Sequence, residues 1–192
     1  MKLGIFVGSF NPVHKGHIEI VKYILKNKYV DKVLIVPTGN YWNKKDLIDI
    51  KLRIKMLEKY NLKNVIIEKE LNNLNYTYEL MRKLKEKYKN TDLSLIIGAD
   101  NIVNFDKWKN YKELLNYELI IYKRDNIDIK YYLKKLNKKD KYIVIDNVSN
   151  INISSSKIKE ILNSYYSLDN MLDKKILKFI IDNKLYKNNS NK

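Results

Sequence analysis

Short apolar runs alternate along this chain with longer segments in which apolar residues recur every three or four positions. Leu3 to Val7, Lys32 to Val36, Val65 to Glu68, Leu93 to Ile97, Leu119 to Tyr122 and Tyr142 to Ile145 are predicted as buried strands. Gly16 to Lys28, with Ile18, Val21, Ile24 and Leu25 on one face, is predicted as a helix. The same reading places helices at Leu47 to Tyr60, where Ile50, Ile54 and Leu57 carry the spacing, and at Tyr78 to Tyr88, Ser155 to Asn163 and Asp173 to Lys184. Strands that are apolar throughout, alternating with helices, predict an α/β fold: a doubly wound parallel sheet covered on both faces. In such sheets ligands sit beyond the carboxyl ends of the strands, where the strand order reverses. The loops after Val7, Val36 and Ile97 are therefore the first places to look for a site. No internal repeat and no Pro/Ser-rich linker interrupts the pattern, so residues 1–192 are expected to form one unit. Within it, residues 1–153 would be the α/β core, 154–186 a C-terminal helical appendage and 187–192 a frayed polar tail.

The chain has no Cys, which excludes disulfides, thiolate metal sites and a thiol nucleophile. Its 38 basic residues against 22 acidic ones give a formal charge of +16, a surplus that attracts polyanions. Only Arg53, Arg82 and Arg124 are Arg, however, although Arg is the better residue for bidentate phosphate and base contacts. Lys is spread from end to end, Asn, Ile and Tyr are abundant, and no RNA or DNA motif is visible, so the charge is read as compositional and no nucleic-acid partner is expected. A basic nucleic-acid-binding module is the alternative from a different class, and it predicts a steep loss of affinity with salt. The apolar amino-terminal run ends at Ser9, too short for a signal peptide or a membrane span, and no later stretch approaches that length. A cytoplasmic protein with no membrane partner is expected.

The candidate chemistry lies in the loop Gly8-Ser9-Phe10-Asn11-Pro12-Val13-His14-Lys15-Gly16-His17, which holds both histidines of the chain at the start of the first helix. A helix amino terminus presents backbone N–H groups and a partial positive charge, and Gly16 lets an anion approach the backbone. Two imidazoles there can donate to phosphate oxygens and stabilise charge that grows during phosphoryl transfer. On the residues alone, His14 could equally be a helix cap in a strand-to-helix turn. Two histidines without a nearby acidic triad make a poor zinc site, so no protein-borne metal site is expected.

This loop resembles the GxFxPxHxGH signature of the nucleotidyltransferase superfamily, and Ile153-Ser154-Ser155-Ser156-Lys157-Ile158-Lys159 resembles its second signature, ISSTxIR. Between and beyond them, four stretches are similar to the bacterial nicotinate-nucleotide adenylyltransferase family. They are Lys44-Lys45 with Asp49 and Arg53 to Leu57, Tyr76-Thr77-Tyr78, Ile96 to Asp100 with Trp108, and Phe179-Ile180 through Leu185-Tyr186. The resemblance implies a Rossmann-like fold and transfer of AMP from ATP, with Mg2+, to nicotinate mononucleotide, giving deamido-NAD and pyrophosphate in NAD biosynthesis. Other acceptors, nicotinamide mononucleotide or phosphopantetheine, are the alternatives within the superfamily. The sequence leaves a monomer and a homo-oligomer equally open.

Carried onto these positions, the resemblance implies that Gly8, Ser9 and Phe10 line the nucleotide and acceptor cleft. His14 and His17 would contact the ATP phosphates, with His17 stabilising the α-phosphate. Gly98 and Asp100 would hold adenosine, and Ser155, Ser156 and Lys159 the β- and γ-phosphates. On the acceptor side, Trp108 would stack on the pyridine ring, the Thr77-Tyr78 backbone would read its carboxylate and Lys45 would add a contact. Each has a plainer reading beside it. Asp100 and Ser154 to Ser156 could be helix caps, Thr77 a helix start, Trp108 a half-exposed aromatic and Lys44-Lys45 a solvated pair. Two departures stand out: Lys159 replaces the Arg of the second signature, keeping charge but losing the planar fork, and the loop Thr38 to Lys45 lacks the PPHK-like pattern of many relatives. Trp42 in that loop could supply a stacking surface.

Overall fold

The computed structural model describes residues 1–39, 46–123, 126–146, 148, 153–162 and 167–186. These residues form β1 (Lys2–Gly8), β2 (Lys32–Pro37), β3 (Val65–Ile67), β4 (Asp92–Gly98), β5 (Glu118–Tyr122) and β6 (Tyr142–Ile145), in the spatial order β3-β2-β1-β4-β5-β6. Every pairing is parallel, with Phe6 opposite Ile35 on one side and Ile96 on the other. This is the Rossmann order, and its reversal point lies between β1 and β4. The carboxyl ends of those two strands, Gly8 and Gly98, therefore open side by side.

The connecting helices are α1 (Lys15–Lys26), α2 (Ile50–Glu58), α3 (Thr77–Lys87), α4 (Ala99–Ile102), α5 (Tyr111–Leu114), α6 (Ile129–Lys135), α7 (Ser155–Ile161) and α8 (Lys174–Asp182). Alternation along each strand divides the core into two slabs. Leu3, Ile5, Leu34, Leu95, Ile97 and Leu119 face α3 to α6. Phe6, Val33, Ile35, Ile96 and Ile120 face α1, α2, α7 and α8. Each fully buried Leu or Ile contributes on the order of 1.5–3 kcal/mol. The C-terminal helices supply Ile158, Ile176 and Ile180 to the same slab as Phe6 and Ile18. They complete one face of the sheet. Among the described residues no helix is long and apolar enough to cross a membrane.

Element ends differ from the sequence expectation where a side chain binds backbone. The first helix begins at Lys15 because His14 caps it, and the second begins at Ile50 because the Asp49 carboxylate accepts from Lys51 N–H at 2.7 Å. The third strand stops at Ile67 because buried Glu68 turns inward, accepting from the N–H groups of Lys69, Glu70 and Leu71. The last helix starts after its cap Asp173 and closes at Asn183. Two 3-10 turns (Leu71–Asn73 and Phe105–Lys107) and helices α4, α5 and α6 were not expected from the periodicity. Each runs seven residues or fewer, too short for a 3.6-residue repeat to establish itself.

Candidate active site

The loop leaving β1 turns sharply. Phe10 adopts a left-handed backbone conformation (φ 47°), and the Asn11–Pro12 peptide is cis. The side chains of three sequence-distant residues, Arg53, Tyr186 and Ser155, help to hold it. The buried Arg53 guanidinium donates through Nη1 to the carbonyls of Ser9 (2.7 Å) and Thr38 (2.8 Å), and through Nε to that of Ile48 (3.0 Å). One Arg thus ties the β1 loop to the β2 loop. Burial lowers the guanidinium from its usual range, opposed by Tyr186 and Asp49, and it remains a cation. Asn11, also buried, donates to the Asp46 carbonyl (2.8 Å) and accepts from Ile48 N–H (3.3 Å) and the Tyr186 hydroxyl (2.9 Å). The Ser155 hydroxyl donates to the Pro12 carbonyl at 2.8 Å, linking the start of α7 to the same loop.

This scaffold places the two histidines. His14 caps α1, with its Nδ1 accepting from His17 N–H (3.4 Å), and the His17 Nδ1 accepts in return from His14 N–H (3.3 Å). The rings stack with centroids 3.6 Å apart. A reciprocal box of this kind normally uses Ser or Thr with Glu. Here two imidazoles do the work, and with both Nδ1 atoms accepting, the proton of each neutral ring belongs on Nε2. Both rings are thus fixed at one helix end by their mutual hydrogen bonds. Phe10 is buried against the His17 ring, with centroids 4.9 Å apart, and against Phe6 at 5.4 Å. Its ring packs directly against that of His17.

Between the ends of β1 and β4 lies a cleft of about 220 Å³ walled by Gly8, Ser9, Thr38, Gly98, Trp108 and Tyr122. Gly98 lies close to the Asp100 carboxylate and the Tyr122 hydroxyl, and a Cβ there would displace the exposed Asp100 side chain. Asp100 itself is exposed and stands in the first turn of α4, whose cap is Gly98, so it is not the helix cap. Opening from this cleft is a second of about 650 Å³, lined by Asn75, Tyr76, Thr77, Lys107, Trp108 and Lys109. Trp108 is half-buried, stacked on buried Phe105 with centroids 5.0 Å apart, and contributes to both. Thr77 and Tyr78 are the first residues of α3, whose cap position is Tyr76 and carries no side-chain cap, so their backbone N–H groups lie at an uncapped helix end. The Tyr78 hydroxyl points elsewhere, to Glu79 at 3.1 Å.

The structure thus brings together Gly8, Ser9, Gly98 and Trp108 in one cleft, with Thr77 in the adjoining one. At α7, Ser154 is the cap, accepting from Lys157 N–H at 3.2 Å, and Ser156 is exposed in the first turn. Lys159 pairs with Asp46 at 3.6 Å. Lys45 and Trp42 lie outside the described residues. Sequence reading assigned no role to Asn11, Arg53, Thr38 or Asn75, all of which build the site. One signal for Arg53 was present: in a chain with 38 basic residues and three Arg, an Arg marks a place where Lys will not serve. Arg82 makes the same point with its two-pronged pairing to Glu113, both contacts at 2.7 Å.

A cytidylyltransferase-like family model matches residues 5–161. A Fusobacterium nucleatum protein named a probable nicotinate-nucleotide adenylyltransferase is 38% identical over 189 residues, spanning 94% of this chain and 97% of its own. A Clostridium perfringens protein of the same name is 36% identical over 173 residues, spanning 83% and 85% respectively. Among solved structures, Plasmodium falciparum nicotinic acid mononucleotide adenylyltransferase complexed with NaAD matches with a TM-score of 0.80 at 25% identity, covering 96% of this chain and 97% of that one. The same enzyme complexed with APC matches at 0.79.

Proposed function

Because the chain belongs to the nicotinate-nucleotide adenylyltransferases, within the cytidylyltransferase-like family, we propose that it transfers AMP from ATP to nicotinate mononucleotide in NAD biosynthesis. The observation that carries the mechanism is the stacked pair of histidines at the start of α1, on the loop whose Gly8 and Ser9 wall the cleft between β1 and β4. In the proposed reaction an oxygen of the acceptor's 5′-phosphate attacks the α-phosphorus of ATP in line. One P–O bond forms as the bond to the β-phosphate bridging oxygen breaks, and the electron pair leaves with pyrophosphate. The attacking phosphate is ionised near neutral pH, so no side chain has to remove a proton. Catalysis is then positioning and charge stabilisation. His14 and His17 supply Nε2–H donors, fixed in direction by their mutual hydrogen bonds, to the phosphate whose charge grows.

The other assignments follow the cleft. Gly8, Ser9, Gly98 and Asp100 would hold the nucleotide, and the first-turn N–H groups at Ser155 and Ser156, with Lys159, the β- and γ-phosphates. The Ser155 hydroxyl is engaged by Pro12, so its part is to fix α7 against the β1 loop. Trp108 would offer its face to the pyridine ring and the N–H groups of Thr77 and Tyr78 would meet the carboxylate, beside Lys107 and Lys109. Among the described residues no group of three or more His, Asp or Glu is gathered to hold a metal. Mg2+ would be carried in with ATP and would help to neutralise phosphate charge during transfer.

Pyrophosphate release from MgATP with three acceptors tests the reading. Release with nicotinate mononucleotide, and not with nicotinamide mononucleotide or phosphopantetheine, is expected. Preference for another acceptor would overturn the substrate while keeping the chemistry. Silence with all three would overturn the chemistry.

A further inference from the structure

The last described residue, Tyr186, lies at the opposite end of the sequence from the histidine loop, yet its hydroxyl donates to the Asn11 side chain at 2.9 Å. From this contact we infer that the Tyr186 hydroxyl is a positioning group for adenylyl transfer, acting through Asn11 to set the loop that carries His14 and His17. The inference rests on the proposed reaction, and neither Tyr186 nor Asn11 is assigned to substrate.

Four observations meet at Asn11. Its side chain is buried, and its amide spans two segments, donating to the Asp46 carbonyl and accepting from Ile48 N–H. It stands three positions before His14 in the sequence, next to Phe10, whose ring supports His17. Both aromatic residues at this junction adopt left-handed backbone conformations, Phe10 at φ 47° and Tyr186 at φ 59°. Such conformations are costly for bulky side chains and persist where the surroundings dictate them. The Tyr186 backbone is thus held in an unfavourable geometry that brings its hydroxyl to Asn11. Burial pushes this hydroxyl well above its usual titration range, opposed only by Arg53, so it stays a proton donor. The remaining anchors of the loop, Arg53 at Ser9 and Ser155 at Pro12, bracket Asn11 on either side. Removing the hydroxyl would free one corner of the loop while leaving the others in place. A small displacement of reacting groups costs rate far more than it costs affinity.

The test is Tyr186→Phe, which removes one oxygen and keeps the ring in its packed position. We expect kcat to fall about 5- to 30-fold while KM for ATP and for nicotinate mononucleotide stays within about twofold. The melting temperature should drop by no more than about 4 °C. Asn11→Ala should lower kcat at least as much, and the double variant should be no slower than Asn11→Ala alone, because the two residues act as one unit. In the substrate-free protein, the ring 15N and 1H resonances of His14 and His17 should shift on Tyr186→Phe. A kcat within twofold of wild type, multiplicative losses in the double variant, or unmoved histidine resonances would overturn the inference. Loss of a cooperative melt in Tyr186→Phe would overturn it too, since the hydroxyl would then hold the fold and not the loop. If wild type itself releases no pyrophosphate, the reaction fails instead, and the histidine resonances still decide whether Tyr186 sets the loop.

Discussion

The two strands that meet at the site end in contrasting ways. Beyond β1, the loop from Ser9 to His14 is held by side chains from α2, α7 and the C-terminal Tyr186, between 44 and 175 residues away in sequence. Beyond β4, residues 99–110 form two short helical turns with Trp108 stacked on Phe105 three positions earlier, and their distant polar anchor is a surface ion pair between Asp106 and Lys135 rather than buried hydrogen bonds. The first region carries the proposed phosphate chemistry and the second the proposed recognition of the acceptor ring. Phosphoryl transfer demands donors already aimed where charge will develop, and that precision comes from anchors on several elements. A ring-stacking surface needs only a face, which one short segment can present.

That contrast also explains what could be read in advance. The strands and long helices were legible because burial imposes a period of 2 or 3.6 on the residues themselves. The strand pattern narrowed the site to the loops after Val7, Val36 and Ile97, of which the first is the histidine loop; the sheet order places the reversal between β1 and β4. The anchors were not legible. Nothing near Asn11 announces that Tyr186 will reach it, because that contact exists only once α8 has packed on the face that contains Phe6 and Ile18. The short helices after β4 escaped for a different reason: four residues are too few to show a helical period.

The sharpest way to break the comparison is His17→Ala. It removes one preorganised donor, and kcat should fall about 10²- to 10³-fold with the melting temperature little changed. A loss below about tenfold would deny His17 its role.

Next in size is Arg53→Leu, which leaves the carbonyls of Ser9, Thr38 and Ile48 without their donor. A loss of about 3 kcal/mol, read as a drop of about 6–12 °C in melting temperature, is expected. An unchanged melting curve would mean the β1 loop is not held from outside.

Trp108→Ala tests the region beyond β4. It should raise KM for the pyridine mononucleotide about tenfold and leave kcat within about threefold, the signature of lost stacking without lost positioning. A fall in kcat with unchanged KM would give Trp108 a part in the chemistry and erase the division between the two regions.

The smallest expected effect concerns the turn that follows β3. Burial alone would raise the Glu68 carboxyl, but the N–H groups of Glu70 and Leu71 and the Lys87 ammonium outweigh it and hold the group below the usual carboxylate range. Its folded pKa is thus the lower one. The stabilisation is complete above the unfolded value and disappears as pH falls through the folded value. Melting temperature should therefore decline on acidification below about pH 4.5, and Glu68→Gln should flatten that decline. Parallel curves for the two proteins would remove Glu68 from the acid limb.

The central claim is that the bond broken lies between the α- and β-phosphorus of ATP, and isotope position reads it directly. Wild-type protein is incubated with nicotinate mononucleotide, Mg2+ and ATP labelled at either the α- or the γ-phosphorus. The account predicts α label in a dinucleotide and γ label in pyrophosphate alone. Label from the γ position on the acceptor, with ADP as the other product, would contradict it.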